Sequence, residues 1–265
     1  MKERFVKFLY AVDVYLLYLL SGIASAAGVV VYYSIRAAID YGNIGEIADA
    51  PAFAEYISGV VAGKASLVLL VSYCIVVVAV IITFAIRRKS LSAYAGLSYG
   101  RFISICAAAI LGAVLNLLTY SVTPDTTQRT ETVNLLLVLC VMLGPFVEEL
   151  MFRGVLLKMF GAACGTVTAS FITAALFAMS HTEPVQMLYT FVLGIILAAV
   201  RVKSTSLWSP LALHLSFNIT GAVMMVAPRI FSHKAMILLG IAAVLLFLLS
   251  CTGGRTCCTS SEKAK

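Results

Sequence analysis

Apolar residues run along this chain in stretches of about twenty, separated by short polar and charged segments. A helix rising about 1.5 Å per residue needs that length to cross the hydrocarbon core of a bilayer. The runs predict eight spans, near 8–35, 65–86, 102–120, 132–160, 166–182, 185–201, 207–227 and 235–251. The fold class is therefore read as all-α, a polytopic membrane protein of about eight transmembrane helices. No internal repeat is visible, so an inverted-repeat carrier has no direct support. The longest connection, 38–64, holds Asp40, Glu46, Asp49 and Glu55 and reads as a solvated loop.

Composition sharpens this picture. The 265 residues are 62% hydrophobic and 12% charged, a balance suited to lipid on most faces. A net charge of +7 would raise nucleic acid as a partner in a soluble protein, but here the cations collect in connections beside the spans, where they set topology. No nucleic-acid partner is expected. With the amino terminus inside, Lys2, Arg4, Lys7, Arg87, Arg88, Lys89, Arg101, Arg201, Lys203, Arg255, Lys263 and Lys265 are cytoplasmic, against Arg36, Lys64, Arg129, Arg229 and Lys234 outside. The expected localisation is integral to the membrane with both termini cytoplasmic. The basic start and the apolar run ending at Ser25-Ala26 have the outline of a signal peptide, yet Asp13 interrupts that run and Gly28 to Val31 resume it, which favours a retained span. Of seven cysteines, Cys74, Cys106, Cys140 and Cys164 read as small core residues, and Cys251, Cys257 and Cys258 as a reduced tail. Trp208 reads as an interfacial anchor, Tyr15 and Tyr18 as packing residues.

One stretch breaks the apolar pattern at a cost. Gly144-Pro145-Phe146-Val147-Glu148-Glu149-Leu150-Met151-Phe152-Arg153 places three ionisable groups inside a span, each costing about 2.5–3.5 kcal/mol at mid-bilayer on insertion scales. Residues four apart share a helix face and neighbours are turned by about 100°, so Glu149 is expected to pair with Arg153 while Glu148 points elsewhere. Pro145 deprives the Val141 carbonyl of its helical donor, which predicts a bent and hydrated helix one turn from the glutamates.

Two of the three histidines fall on later spans. His181 ends Phe177-Ala178-Met179-Ser180-His181, and the sequence midpoint between Glu148 and His181 lies in the small-residue stretch Gly161 to Gly165. An antiparallel hairpin turning there brings both to nearly the same depth. His214 and Asn218, four apart, share one face of the seventh span; His233 reads as solvated. A carboxylate near an imidazole can take a proton from water, and a pair of hydrogen-bond donors can hold the oxygen that turns negative when a carbonyl is attacked, each donor contributing about 3 to 4 kcal/mol. Peptide hydrolysis is the reaction class this chemistry suits.

These residues resemble the CPBP group of intramembrane proteases, which includes the type II CAAX prenyl endopeptidases and the Abi and bacteriocin-processing proteins. The pattern is two glutamates with an arginine four after the second, then Phe-x-x-x-His, then His-x-x-x-Asn, each on its own span. Glu148, Glu149 and Arg153 match the first motif, Phe177 and His181 the second, His214 and Asn218 the third. The resemblance covers residues 132–226 and implies that Glu148 and His181 activate water, that His214 and Asn218 stabilise the oxyanion, and that Glu149, Arg153 and Phe177 support them. It divides the chain into 1–131, three transmembrane helices with loops; 132–226, the protease-like core; and 227–265, a last helix and cytoplasmic tail.

Glu148, His181 and His214 also offer three zinc ligands in principle. The usual His-Glu-x-x-His motif is absent, and the resemblance to a glutamate-dependent mechanism favours no cofactor. The implied partners are membrane lipid and a membrane-associated or lipidated peptide or protein substrate in a cavity among spans four to seven. Prenylation and bacteriocin processing are equally open. Two other readings are a catalytically silent immunity or scaffold protein of the same fold, and a proton-coupled carrier with Glu148 and Glu149 as proton sites.

Overall fold

A computed structural model describes residues 2–41, 63–86, 90–97, 102–122, 135–181 and 183–226, with a few isolated positions elsewhere. In order these form α1 (Lys2–Tyr41), α2 (Ala65–Ile86), a short α3 (Leu91–Ala95), α4 (Phe102–Val122), α5 (Leu135–Glu149), a π-helical segment (Leu150–Leu156), α6 (Leu157–Cys164), α7 (Thr166–Met179), α8 (Pro184–Ser204) and α9 (Trp208–Val226). There is no strand among the described residues. The protein is a helical membrane protein, its outer faces carrying exposed apolar side chains such as Leu16, Leu20 and Ile23 on α1 and Val78, Ile81 and Ile82 on α2.

The expected count of eight spans is only partly met. Among the described residues, four helices are long and apolar enough to cross a bilayer: Lys2–Arg36, Ala65–Ile86, Phe102–Ser121 and Pro184–Ser204. Thr166–Met179 is apolar but shorter. The fourth expected span is present as a continuous helical rod from Leu135 to Cys164, interrupted by its π segment. The seventh is α9, the helix that carries His214 and Asn218. The expected eighth span, His233 and the three tail cysteines lie outside the described residues, as does most of the 38–64 loop, into which α1 extends as far as Tyr41. The cysteine expectation is corrected: Cys74 and Cys164 are exposed, and Cys106 and Cys140 are half-buried. Outward positions on a lipid-facing helix are as apolar as core positions, so composition alone does not separate them.

In lipid, helices associate through close backbone approach and interhelical hydrogen bonds rather than through the hydrophobic effect. The α4–α9 contact is built that way. A Cβ on Gly112 would run into the Leu213 carbonyl, the Ser216 hydroxyl donates to the Ala109 carbonyl at 2.6 Å, and Ser104 and Ser209 share a 3.2 Å hydrogen bond. Helices α1 and α2 are joined by the buried Ser21–Ser72 bond at 2.9 Å. At the other end of the rod, Gly165 (φ 88°) turns α6 directly into α7. Only glycine takes such a φ without strain, and the hairpin expected around Gly161 to Gly165 turns at this residue.

Candidate active site

The rod from Leu135 to Cys164 carries the acidic residues. Pro145 lies inside α5, but the irregular backbone falls one turn later, in the π segment that contains Arg153. Such segments widen the helix by one residue per turn and recur at functional sites. Every residue from Leu150 to Leu156 is buried, so this stretch faces protein on all sides.

Glu149 and Arg153 form an ion pair with both side chains 0% exposed, Nη1 donating to Oε1 at 2.8 Å. The guanidinium also donates from Nη2 to the Gly194 carbonyl on α8 at 3.3 Å, and its Cζ stands 4.6 Å from the Phe177 ring centroid, a cation–π contact in a desolvated setting. The same Glu149 Oε1 accepts from His214 Nδ1 at 2.9 Å. A carboxylate paired with arginine can only accept, so the proton of this bond belongs to the imidazole. His214 therefore presents Nε2 to the rest of the site, as an acceptor when the ring is neutral and as a donor when it is doubly protonated.

Glu148 faces a different way. Its Oε1 accepts from the Tyr73 hydroxyl on α2 at 2.9 Å. Its Oε2 is 3.6 Å from His214 Nε2, too long for a hydrogen bond and short enough for a bridging atom. It retains 12% side-chain exposure, whereas Glu149 has none. The two neighbouring carboxylates thus differ: one is neutralised and sealed, the other is held by a neutral phenol and reachable.

His181 closes the last turn of α7. Its Nδ1 lies 2.9 Å from the Phe177 carbonyl, which can only accept, so Nδ1 carries the proton and Nε2 is the acceptor of the neutral ring. Phe177 stands between the two histidines, edge-on to His181 at 5.1 Å and to His214 at 5.5 Å, with Phe152 at 5.3 Å behind it. Among the described residues no ion pair within 4.0 Å joins Glu148 to His181; the partners of Glu148 are Tyr73 and His214. Asn218 lies one turn beyond His214 on α9 and is half-buried. The structure therefore brings Glu148, Glu149, Arg153 and His214 into direct contact and links His181 to them through Phe177.

Sequence reasoning passed over Tyr73 and read Tyr18 as a packing residue. Tyr18 packs against Phe152, with the ring centroids 5.4 Å apart. Both tyrosines come from the first two helices, where a hydroxyl in an apolar run carries no motif. A cavity of about 330 Å³ opens beside Tyr18, between α1, α2 and the π segment, lined by Tyr18, Ala79, Val80, Phe84, Met151 and Met159 among others. This cavity lies against the first two helices, and Met151, Val155 and Met159 of the rod complete its wall. No group of three His, Cys, Asp or Glu side chains arranged to hold a metal ion occurs among the described residues.

Residues 130–220 match the family model described as type II CAAX prenyl endopeptidase Rce1-like. This segment, about a third of the chain, is similar to that family of CAAX-type proteases. The match takes in Glu148, Glu149, Arg153, Phe177, His181, His214 and Asn218, and so supports the resemblance drawn from the three motifs. It leaves out α1 and α2, the helices that supply Tyr18, Tyr73 and most of the cavity wall. No curated protein and no solved structure matches the chain.

Proposed function

We propose that this protein is a glutamate-dependent intramembrane endopeptidase that cleaves a peptide bond in a membrane-associated substrate. The observation that carries the reading is Glu148: a reachable carboxylate in a buried polar cluster, with one oxygen tied to Tyr73 and the other 3.6 Å from an imidazole nitrogen. A water placed against Oε2 gives a proton to Glu148, assisted by His181 Nε2, while its oxygen attacks the carbonyl carbon. The carbonyl oxygen, now negative, is held by Asn218 and by Nε2 of His214 in its imidazolium form. Collapse breaks the C–N bond, and the departing amine takes the proton from Glu148. Glu149 and Arg153 orient His214 and balance each other's charge. No metal is part of this scheme.

The apolar cavity beside Tyr18 suits the apolar portion of the substrate, which then lies along α1 and α2 with its scissile bond at Glu148. Such an arrangement accepts a lipidated CAAX-type peptide or a hydrophobic signal or bacteriocin leader. The test is cleavage of a set of lipidated and unlipidated peptides by purified protein in detergent, for wild type and Glu148→Gln, with and without chelator. Cleavage lost in Glu148→Gln and kept with chelator is expected. Loss with chelator would replace the scheme with a metal-dependent one, and a folded protein that cleaves nothing would favour an immunity or scaffold role.

A further inference from the structure

Tyr73 occupies a place that looks constructed. Its hydroxyl donates to Glu148 Oε1 at 2.9 Å, and the residue is only 9% exposed, in the wall between α2 and α5. The space its ring fills exists because residue 144 has no side chain. A Cβ on Gly144 would stand 2.9 Å from the tyrosine oxygen and 3.3 Å from Cε2 and Cζ, all closer than ordinary contact. Gly144 lies one helical turn before Glu148, so the slot and the carboxylate share a face of α5. The ring enters the slot and its hydroxyl reaches the carboxylate.

We propose that Tyr73 is the positioning residue of the glutamate base, seated by Gly144; this rests on the reading of Glu148 as the base. A glutamate side chain has three rotatable bonds, and without an anchor its two oxygens exchange places freely. Anchoring Oε1 leaves Oε2 as the oxygen that faces His214 Nε2 and the incoming water. The choice of a phenol matters chemically. A cation in this position, as Arg153 is for Glu149, would satisfy the carboxylate with a full opposite charge and weaken its pull on a proton. A neutral hydroxyl fixes the geometry while the carboxylate keeps its charge. Tyr73 exchanges no proton with the substrate and acts only through Glu148.

The test uses full-length protein in detergent and the peptide cleaved best by wild type. Tyr73→Phe keeps the ring in its slot and removes the anchor, so kcat should fall tenfold or more while KM stays within twofold. Gly144→Ala crowds the ring from the other side and should lower kcat in the same way. Because both act through one hydrogen bond, the double variant should lose no more than the worse single variant. Tyr15→Phe is the control, since that hydroxyl donates to the Leu176 carbonyl and does not touch the glutamates; its kcat should equal wild type. Wild-type kcat in Tyr73→Phe, a change confined to KM, or multiplied losses in the double variant would overturn the proposal. Should Tyr73→Phe fail to fold, Gly144→Ala decides alone by the same split between kcat and KM. If Glu148→Gln still cleaves, the base assignment itself falls; if it is dead and Tyr73→Phe is fully active, only the positioning role falls.

Discussion

Glu149 Oε1 accepts from His214 Nδ1 at 2.9 Å while it also accepts from Arg153 Nη1 at 2.8 Å, so a single carboxylate oxygen joins α9 to the π segment. The bond fixes the imidazole ring and decides which nitrogen faces Glu148. Its cost is the burial of an ion pair, and the pair tolerates no partial removal.

Arg153→Met leaves the Glu149 carboxylate buried without its cation. Breaking a buried pair from one side typically costs about 3–5 kcal/mol, whereas replacing both partners with apolar residues of similar size is often near neutral. Denaturation in detergent should show Arg153→Met strongly destabilised and the double variant Glu149→Leu/Arg153→Met largely recovered, but inactive because His214 has lost its orienting acceptor. An Arg153→Met midpoint equal to wild type would show that the pair does not hold the fold.

Phe177 is fully buried and touches both histidines, Phe152 and Arg153. Truncation to Ala removes this post and costs about 3–5 kcal/mol, the range for large aromatic residues in a core. Activity should fall further than stability explains, since both imidazoles lose a wall. Phe177→Leu, which restores most of the volume, should recover most of the stability and less of the activity. Parallel recovery of both would assign Phe177 a packing role alone.

The helix that carries His214 and Asn218 is seated by a residue far from either in sequence. Gly112 on α4 approaches the Leu213 carbonyl so closely that any side chain must push α9 away. Gly112→Ala should lower cleavage more than it lowers the melting temperature, because a shift of a few tenths of an ångström at residue 213 carries His214 with it. The measurement is kcat beside thermal unfolding. A variant with wild-type kcat would mean that α9 can move without disturbing the site.

How much of this was legible in the sequence depends on which force placed each residue. The Glu149–Arg153 pair follows from helical periodicity, and the Gly165 turn follows from a run of small residues between two apolar segments. Both are local. The hydrogen bond between Glu149 and His214 is not local, since 65 residues separate them, and the pattern gave His214 a partner in Asn218 instead. Tyr73 was invisible for a related reason. Its role depends on the register of α2 against α5, and that register is set by Gly144, Ser72 and other small residues whose spacing says nothing about which helix they meet. The span count fell short because the π segment divides the rod into helices of 15 and 8 residues and α7 has only 14, while the expected eighth span lies outside the described residues.

The cavity between α1 and α2 gives the substrate reading its sharpest check. Ala79 lies on its wall, well along α2 from Tyr73, so a larger side chain there fills apolar space without touching the glutamates. Ala79→Phe should weaken binding of a lipidated peptide about tenfold, equivalent to about 1.4 kcal/mol, while leaving kcat near wild type. An unlipidated peptide with the same cleavage sequence has no apolar chain to accommodate and should be cleaved equally well by both proteins. The contrast between the two peptides separates a filled binding cavity from general damage, because damage lowers kcat for both. Equal KM values for the lipidated peptide in wild type and Ala79→Phe would place the apolar chain elsewhere, along the lipid-facing surface rather than between the first two helices.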